Sequence, residues 1–327
     1  MSPEFPGIPE FMKWPISLRR LKDKSVDLQR RSKMATADDQ FSTEGMELKL
    51  TGVTLPPAAI HSAAGAVSPG PLDGAFLVIQ HAAASNSHVW GCAALVAPGI
   101  SVTAKHVVEA ITASCSDLDA QIQVSAISLK GDSLEIWNVE NILIQDIHDL
   151  AILEMKPAED NYSSLDLRMF KTTTKMPEVG ESLALVGFVA SDERFPIEGD
   201  EHLAAGKYHV SVGNVTATYP TGRDSVMLPF PCVEVAVDTF KGMSGGPVFN
   251  SMGHLVGVIT SGFEGEGQGP TFVSMLWHAL TMPNAPKWPP NLHAAQGRLL
   301  DSRYAFIEDR WRIQLVDGGP SFTYNSA

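Results

Sequence analysis

The stretch FKGMSGGPVF, residues 240–249, places a small hydroxyl, Ser244, among three glycines and a proline. Directly behind it, residues 247–259 have the pattern of a buried strand. A packed core gains nothing from so many glycines, which enlarge the unfolded ensemble and contribute no side-chain contacts. The composition instead suits a backbone that must turn tightly. One chemistry needs such a turn: attack on a carbonyl creates an oxyanion, and backbone N–H groups stabilise it only where no side chain is in the way. Gly242 would supply the turn, and the N–H groups of Gly242 and Ser244 would face one pocket.

A serine is a weak nucleophile at neutral pH and needs a base. Of the ten histidines, His106 stands out in SVTAKHVV, where a β-type run ends in small residues and an imidazole would emerge at a strand end. A base in turn needs a carboxylate to hold its tautomer and stabilise the imidazolium. Asp149, in HDLAILEM, sits just before the buried-looking run 150–153. His148 is a rival base, but alternation along a strand points it away from the side that Asp149 takes. Each residue also has a plainer reading: a glycine-rich turn for Ser244, a strand-capping acid for Asp149, a polar strand end for His106.

VTAKH (102–106), DLAIL (149–153) and GMSGGP (242–247) resemble the three signature segments of trypsin-like serine proteases, the chymotrypsin-fold family. The separations, 43 residues from His106 to Asp149 and 95 from Asp149 to Ser244, are close to that family's pattern, and the resemblance spans about residues 74–280. It implies an all-β fold of two six-stranded antiparallel β-barrels, with a short helix after the second barrel and irregular N- and C-terminal extensions. It also implies a serine endopeptidase working through an acyl-enzyme: His106 as base, Asp149 as its orienter, Ser244 as nucleophile, and the amides of Gly242 and Ser244 as the oxyanion hole. Asp238, six residues before Ser244, falls where a buried acid would select Arg or Lys at the cleavage site. Thr260 and Gly262 fall where the family pairs substrate backbone, and Gly262 and Gly269 would keep the pocket open. Asp238 also reads as an exposed acid paired with Lys241.

Departures from the family are equally informative. Met243 stands where secreted trypsins have an aspartate that receives a newly cut N-terminus. Val107 and Phe240 occupy places of disulfide cysteines. Together with three scattered cysteines, this implies a bacterial-type or viral-type variant in a reducing, cytoplasmic compartment, controlled by a partner, a tail or the substrate.

Composition narrows the alternatives. A formal charge of -13 argues against a nucleic-acid binder, which needs a basic surface to neutralise phosphates. No apolar run approaches the roughly 18 to 20 residues of a membrane-spanning helix. No cysteine, histidine or acid cluster has metal-ligand spacing, and the glycines of GFEGEGQGP, residues 262–270, lack the strand and helix of a phosphate cradle; no cofactor is expected, and this stretch reads as a loop at the pocket edge.

Residues 1–11 read as a cloning scar ahead of Met12. Residues 12–73 read as a basic arm and irregular lead-in, with at most one strand near 46–53. Six short β-type runs then fill 74–165, the first barrel, with His106 and Asp149. A second series, including VMLPF (226–230) and VEVAVDTF (233–240), fills 166–282, the second barrel, with Ser244 and the pocket; FVSMLWHAL (272–280) has helical spacing. A proline-rich connector opens the C-terminal extension, 283–327. The arm and the extension are candidate docking points for a regulatory protein. Two other functions compete: a heat-shock-type protease, for which the segment after Leu280 is too short to hold a peptide-binding module, and a non-catalytic double-barrel scaffold.

Overall fold

The computed structural model of the protein describes residues 13–15, 47–49, 60–62, 74–83, 86–115, 123–130, 133–158, 167–196, 202–262, 269–316 and 322–326. Expectations for the rest of the arm and lead-in, and for residues 263–268 of the pocket-edge loop, lie outside these. Six strands make the first barrel: β1 (Phe76–Ala83), β2 (Asn86–Ala97), β3 (Ile100–Thr103), β4 (Gln123–Lys130), β5 (Ser133–Ile144) and β6 (Ala151–Pro157). They close in the order β1-β2-β3-β6-β5-β4, antiparallel throughout. Strand β3 is buried at every position, because one face fills the barrel and the other meets the second barrel.

The helix α1 (Lys105–Cys115) follows β3. Its buried positions Val107, Val108 and Ile111 share one helical face, and Lys105 reaches Glu109 one turn on at 3.3 Å. The sequence points to no helix here: SVTA reads as the end of a β-type run, and burial of Val107, Val108 and Ile111 selects the helical period beyond it.

The second barrel uses β7 (Thr172–Thr173), β8 (Ser182–Pro196), β9 (His202–Tyr219), β10 (Cys232–Val235), β11 (Pro247–Phe249), β12 (Leu255–Gly262) and β13 (Thr271–Met275). The ring β11-β8-β9-β10-β13-β12 is closed by pairing of β11 with β12, all six antiparallel, and β7 adds to β12 in parallel. Two expectations are corrected. The first part of FVSMLWHAL is the strand β13, with Val273 and Met275 in the core; only Trp277–Thr281 is helical, as α2. The free edges of β10 and β12 decide the matter, since the short apolar run fits either period. VMLPF is not a strand: Val226 and Met227 are exposed, and their N–H groups donate to the Asp224 carboxylate in an Asx turn at 2.9 and 2.6 Å.

Residues beyond α2 bind both barrels. Trp288 meets Trp137 of β5 edge-on at 5.5 Å, His293 Nε2 lies 2.7 Å from the Pro98 carbonyl, and the Ala285 N–H donates to Glu154 of β6 at 2.7 Å. Strand β14 (Ile307–Glu308) extends the second sheet beside β7. A hairpin, β15 (Ile313–Leu315) and β16 (Phe322–Tyr324), stacks Tyr324 on Trp277 at 3.9 Å. Earlier in the chain, Lys13–Pro15 pairs with Glu47–Lys49, and Ile60–Ser62 with Arg168–Phe170. Among the described residues no helix is long and apolar enough to cross a membrane.

Candidate active site

His106 is the second residue of α1, half-exposed where the two barrels meet. The first N–H groups of a helix have no intrahelical acceptor, and Asp149 satisfies one of them: its Oδ1 accepts the His106 backbone N–H at 2.9 Å. The other carboxylate oxygen, Oδ2, lies 2.8 Å from His106 Nδ1 and also accepts the hydroxyl of buried Thr260. An ionised carboxylate has lone pairs for all three partners, and the Oδ2–Nδ1 contact is a hydrogen bond in the tautomer that places the imidazole proton on Nδ1 and leaves Nε2 as the acceptor.

The loop bearing Asp149 is fixed from behind by His148, which is buried. His148 Nδ1 accepts the Leu150 N–H at 3.2 Å and its Nε2 faces Gln145 Oε1 at 3.1 Å. Its ring stacks on His278 of α2, centroids 4.5 Å apart. Burial pushes His148 down to about 3, with repulsion from His278 and Lys105 adding and Asp149 opposing. His278 is likewise pushed down to about 4 by burial. His148 faces away from the cleft as a neutral ring and is not a second base there.

Ser244 sits in a double turn that accounts for the glycines. The Met243 N–H bonds to the Phe240 carbonyl at 3.0 Å and the Gly246 N–H to the Met243 carbonyl at 2.9 Å. Each turn has a glycine at its third position with positive φ, Gly242 at 99° and Gly245 at 77°, the type II signature. The Gly245 N–H is directed to the Ile259 carbonyl at 2.8 Å. Among the described residues, the amides of Gly242 and Ser244 have no acceptor, and both residues are half-buried on either side of fully buried Met243.

Met243 packs against Gly187 of β8, where an added Cβ would lie 2.7 Å from the Met243 Cα. An apolar anchor thus holds the turn where a charged one would need a counter-ion. The turn presses on the segment that carries the histidine. A Cβ on Gly91 would come within 2.7 Å of the Ser244 carbonyl and 2.8 Å of the Val107 side chain, and one on Gly245 within 3.0 Å of the Ala104 nitrogen. Ser244 and His106 therefore flank one junction of the two barrels.

A family model described as the trypsin-like peptidase domain matches residues 91–258. The chain belongs to that family. Within this trypsin-like peptidase, a stretch of 120 residues is 28% identical to the uncharacterized protein y4bJ of Sinorhizobium fredii, covering 37% of this chain and 15% of that protein. The matched stretch is thus well under two thirds of that relative. Among solved structures, it is similar to the MamO protease domain of Magnetospirillum magneticum, with 17% identity, a TM-score of 0.42, and coverage of 63% of this chain and 94% of that one. The serine endoprotease of Yersinia pestis gives 18%, 0.42, and coverage of 63% and 60%.

The pocket residues are placed differently from the catalytic candidates. Asp238 is exposed and lines a cavity of about 430 Å³ with Thr216, Glu234, Ala236, Val237, Gly269 and Pro270. The expected buried carboxylate is replaced by an open one, next to a backbone segment whose Val237 carbonyl accepts the Thr271 hydroxyl of β13 at 2.8 Å. Gly269 borders the same cavity, and Gly262 ends β12 opposite Thr271. The Thr260 side chain is directed to Asp149 rather than to the pocket. Sequence reading missed that contact; its one signal was a hydroxyl at the end of a buried strand, where an unpaired polar group would be costly.

Proposed function

We propose that the protein is a serine endopeptidase in which Ser244 attacks the scissile carbonyl, His106 takes the hydroxyl proton, and the amides of Gly242 and Ser244 hold the oxyanion. The observation that carries this reading is the pairing of Asp149 with both the backbone N–H and Nδ1 of His106, beside a turn with two half-buried amides that have no acceptor among the described residues. After attack, the imidazolium protonates the leaving amine, and neutral His106 then activates water against the acyl-enzyme. Each oxyanion donor in such a site is worth about 3 to 4 kcal/mol of barrier, so preorganised amides matter as much as the base.

A fluorophosphonate probe tests the reading. The wild-type protein is expected to label once per chain and Ser244→Ala not at all. No labelling of the wild type would favour a non-catalytic scaffold.

Selection for Arg or Lys rests on Asp238 and Glu234 sharing one cavity. Because Asp238 is exposed, water competes for the cation and discrimination is weak. Exposed ion pairs contribute at most about 1 kcal/mol, which corresponds to a two- to fivefold preference rather than the thousandfold of a buried acid. Peptide reporters with Arg, Lys, Phe and Glu at the cleaved position measure it, and equal or better rates for Phe or Glu would remove Asp238 from the specificity pocket.

A further inference from the structure

We propose that Cys92 is a positioning residue for the oxyanion-binding turn. The proposal rests on the reading of Gly242 and Ser244 as oxyanion donors, and concerns what keeps them in place. Cys92 lies on β2 of the first barrel and is fully buried. Its backbone N–H donates to the Ser244 carbonyl at 2.8 Å. Its thiol donates to the Gly242 carbonyl, with Sγ 3.3 Å from the oxygen, and accepts the Phe188 N–H of β8 at 3.2 Å. Its carbonyl accepts the Thr103 hydroxyl at 2.7 Å, three residues before His106. One residue is thus bonded to both members of the candidate oxyanion pair and to the strand that delivers the base.

These bonds restrain the turn plane by plane. The peptide joining Gly242 to Met243 is held by its carbonyl on the Cys92 thiol and by its N–H on the Phe240 carbonyl. The peptide joining Ser244 to Gly245 is held by its carbonyl on the Cys92 N–H and by its N–H on the Ile259 carbonyl. Between them, the peptide that carries the Ser244 N–H is fixed through the Met243 carbonyl. The thiol anchors the end at Gly242, the residue whose missing side chain leaves its backbone freest to turn. The sulfur keeps its proton throughout the working range, because burial pushes the thiol up to about 12 despite the opposing Phe188 N–H.

The test compares wild type, Cys92→Ala and Cys92→Ser with a peptide reporter, rates being taken per fluorophosphonate-titrated site so that misfolded chains drop out. A peptide boronic acid serves as the tetrahedral probe. A weak hydrogen bond of about 0.5 to 1.5 kcal/mol corresponds to roughly a two- to tenfold effect. Cys92→Ala is therefore expected to lower kcat and boronic-acid affinity by that factor with KM unchanged. Cys92→Ser, which retains a donor and acceptor, is expected to recover part of both. Wild-type kcat and boronic-acid affinity in Cys92→Ala would overturn the proposal while leaving the protease reading intact, as would Cys92→Ser falling below Cys92→Ala. A wild-type protein that takes no fluorophosphonate overturns both.

Discussion

Asp149→Asn is expected to lower kcat by about 10⁴ while leaving KM within a fewfold, the effect of the same change in the Ser-His-Asp template. Asp149 receives the His106 backbone N–H, the Nδ1 proton and the Thr260 hydroxyl, and an ionised carboxylate can accept all three. Asparagine offers one oxygen and an NH2 that donates. Oδ1 retains the backbone N–H of α1, so the NH2 faces Nδ1, which must then accept. The imidazole proton moves to Nε2, the atom that should take the proton from Ser244, and the base is lost without displacement of the ring. Steady-state kinetics with a peptide reporter measure the effect. Turnover within tenfold of wild type would show that Asp149 does not set the tautomer.

The segments bearing His106, Asp149 and Ser244 are legible in sequence because each carries a local demand that composition expresses: small residues at a strand end, an acid before a fully apolar strand, glycines where φ turns positive. Two β units follow from short β-type runs separated by turn residues, while their closure into two barrels is what the family resemblance implies. What sequence leaves open depends on partners far along the chain. Residues 105–115 are helical because Val107, Val108 and Ile111 find a buried face there, while the local sequence marks only the end of the strand before them. Phe272 to Met275 form a strand because β10 and β12 offer edges. Asp238 has the spacing of a pocket acid, yet its depth is set by how the chain leaves β10. Cys92 reads as an ordinary small apolar residue of a strand, and only the approach of the second barrel gives its thiol two partners.

Lowering the pH from 7.5 to 4.5 is expected to destabilise the fold by on the order of 3 to 5 kcal/mol, through the stacked pair His148 and His278. Both are held neutral by burial, pushed down to about 3 and about 4 from an ordinary value of 6.5. Between those values and 6.5 the unfolded chain binds more protons than the folded one, so stability rises with pH across this window. It is fully present above about pH 7 and is lost progressively as pH falls toward 4. Two units below 6.5, each ring accounts for roughly 2 to 3 kcal/mol, reduced by whatever water reaches His278, which is less buried than His148. His293, also lowered chiefly by burial, acts in the same direction. Lys105 adds positive charge beside His148 and Asp149 only partly offsets it, so a proton there meets net repulsion as well as a desolvated site. Urea unfolding at the two pH values measures the slope. His278→Phe keeps the stack against His148 and the edge contact with Phe322 at 4.9 Å but cannot take a proton, and its loss between pH 7.5 and 4.5 is expected to be about 2 kcal/mol smaller than that of the wild type. Equal losses in the two proteins would place the acid sensitivity elsewhere. Because Leu150 and Asp149 follow His148 directly in the loop that the stack supports, activity at pH 4.5 should decline in step with unfolding, and in His278→Phe it should persist to lower pH.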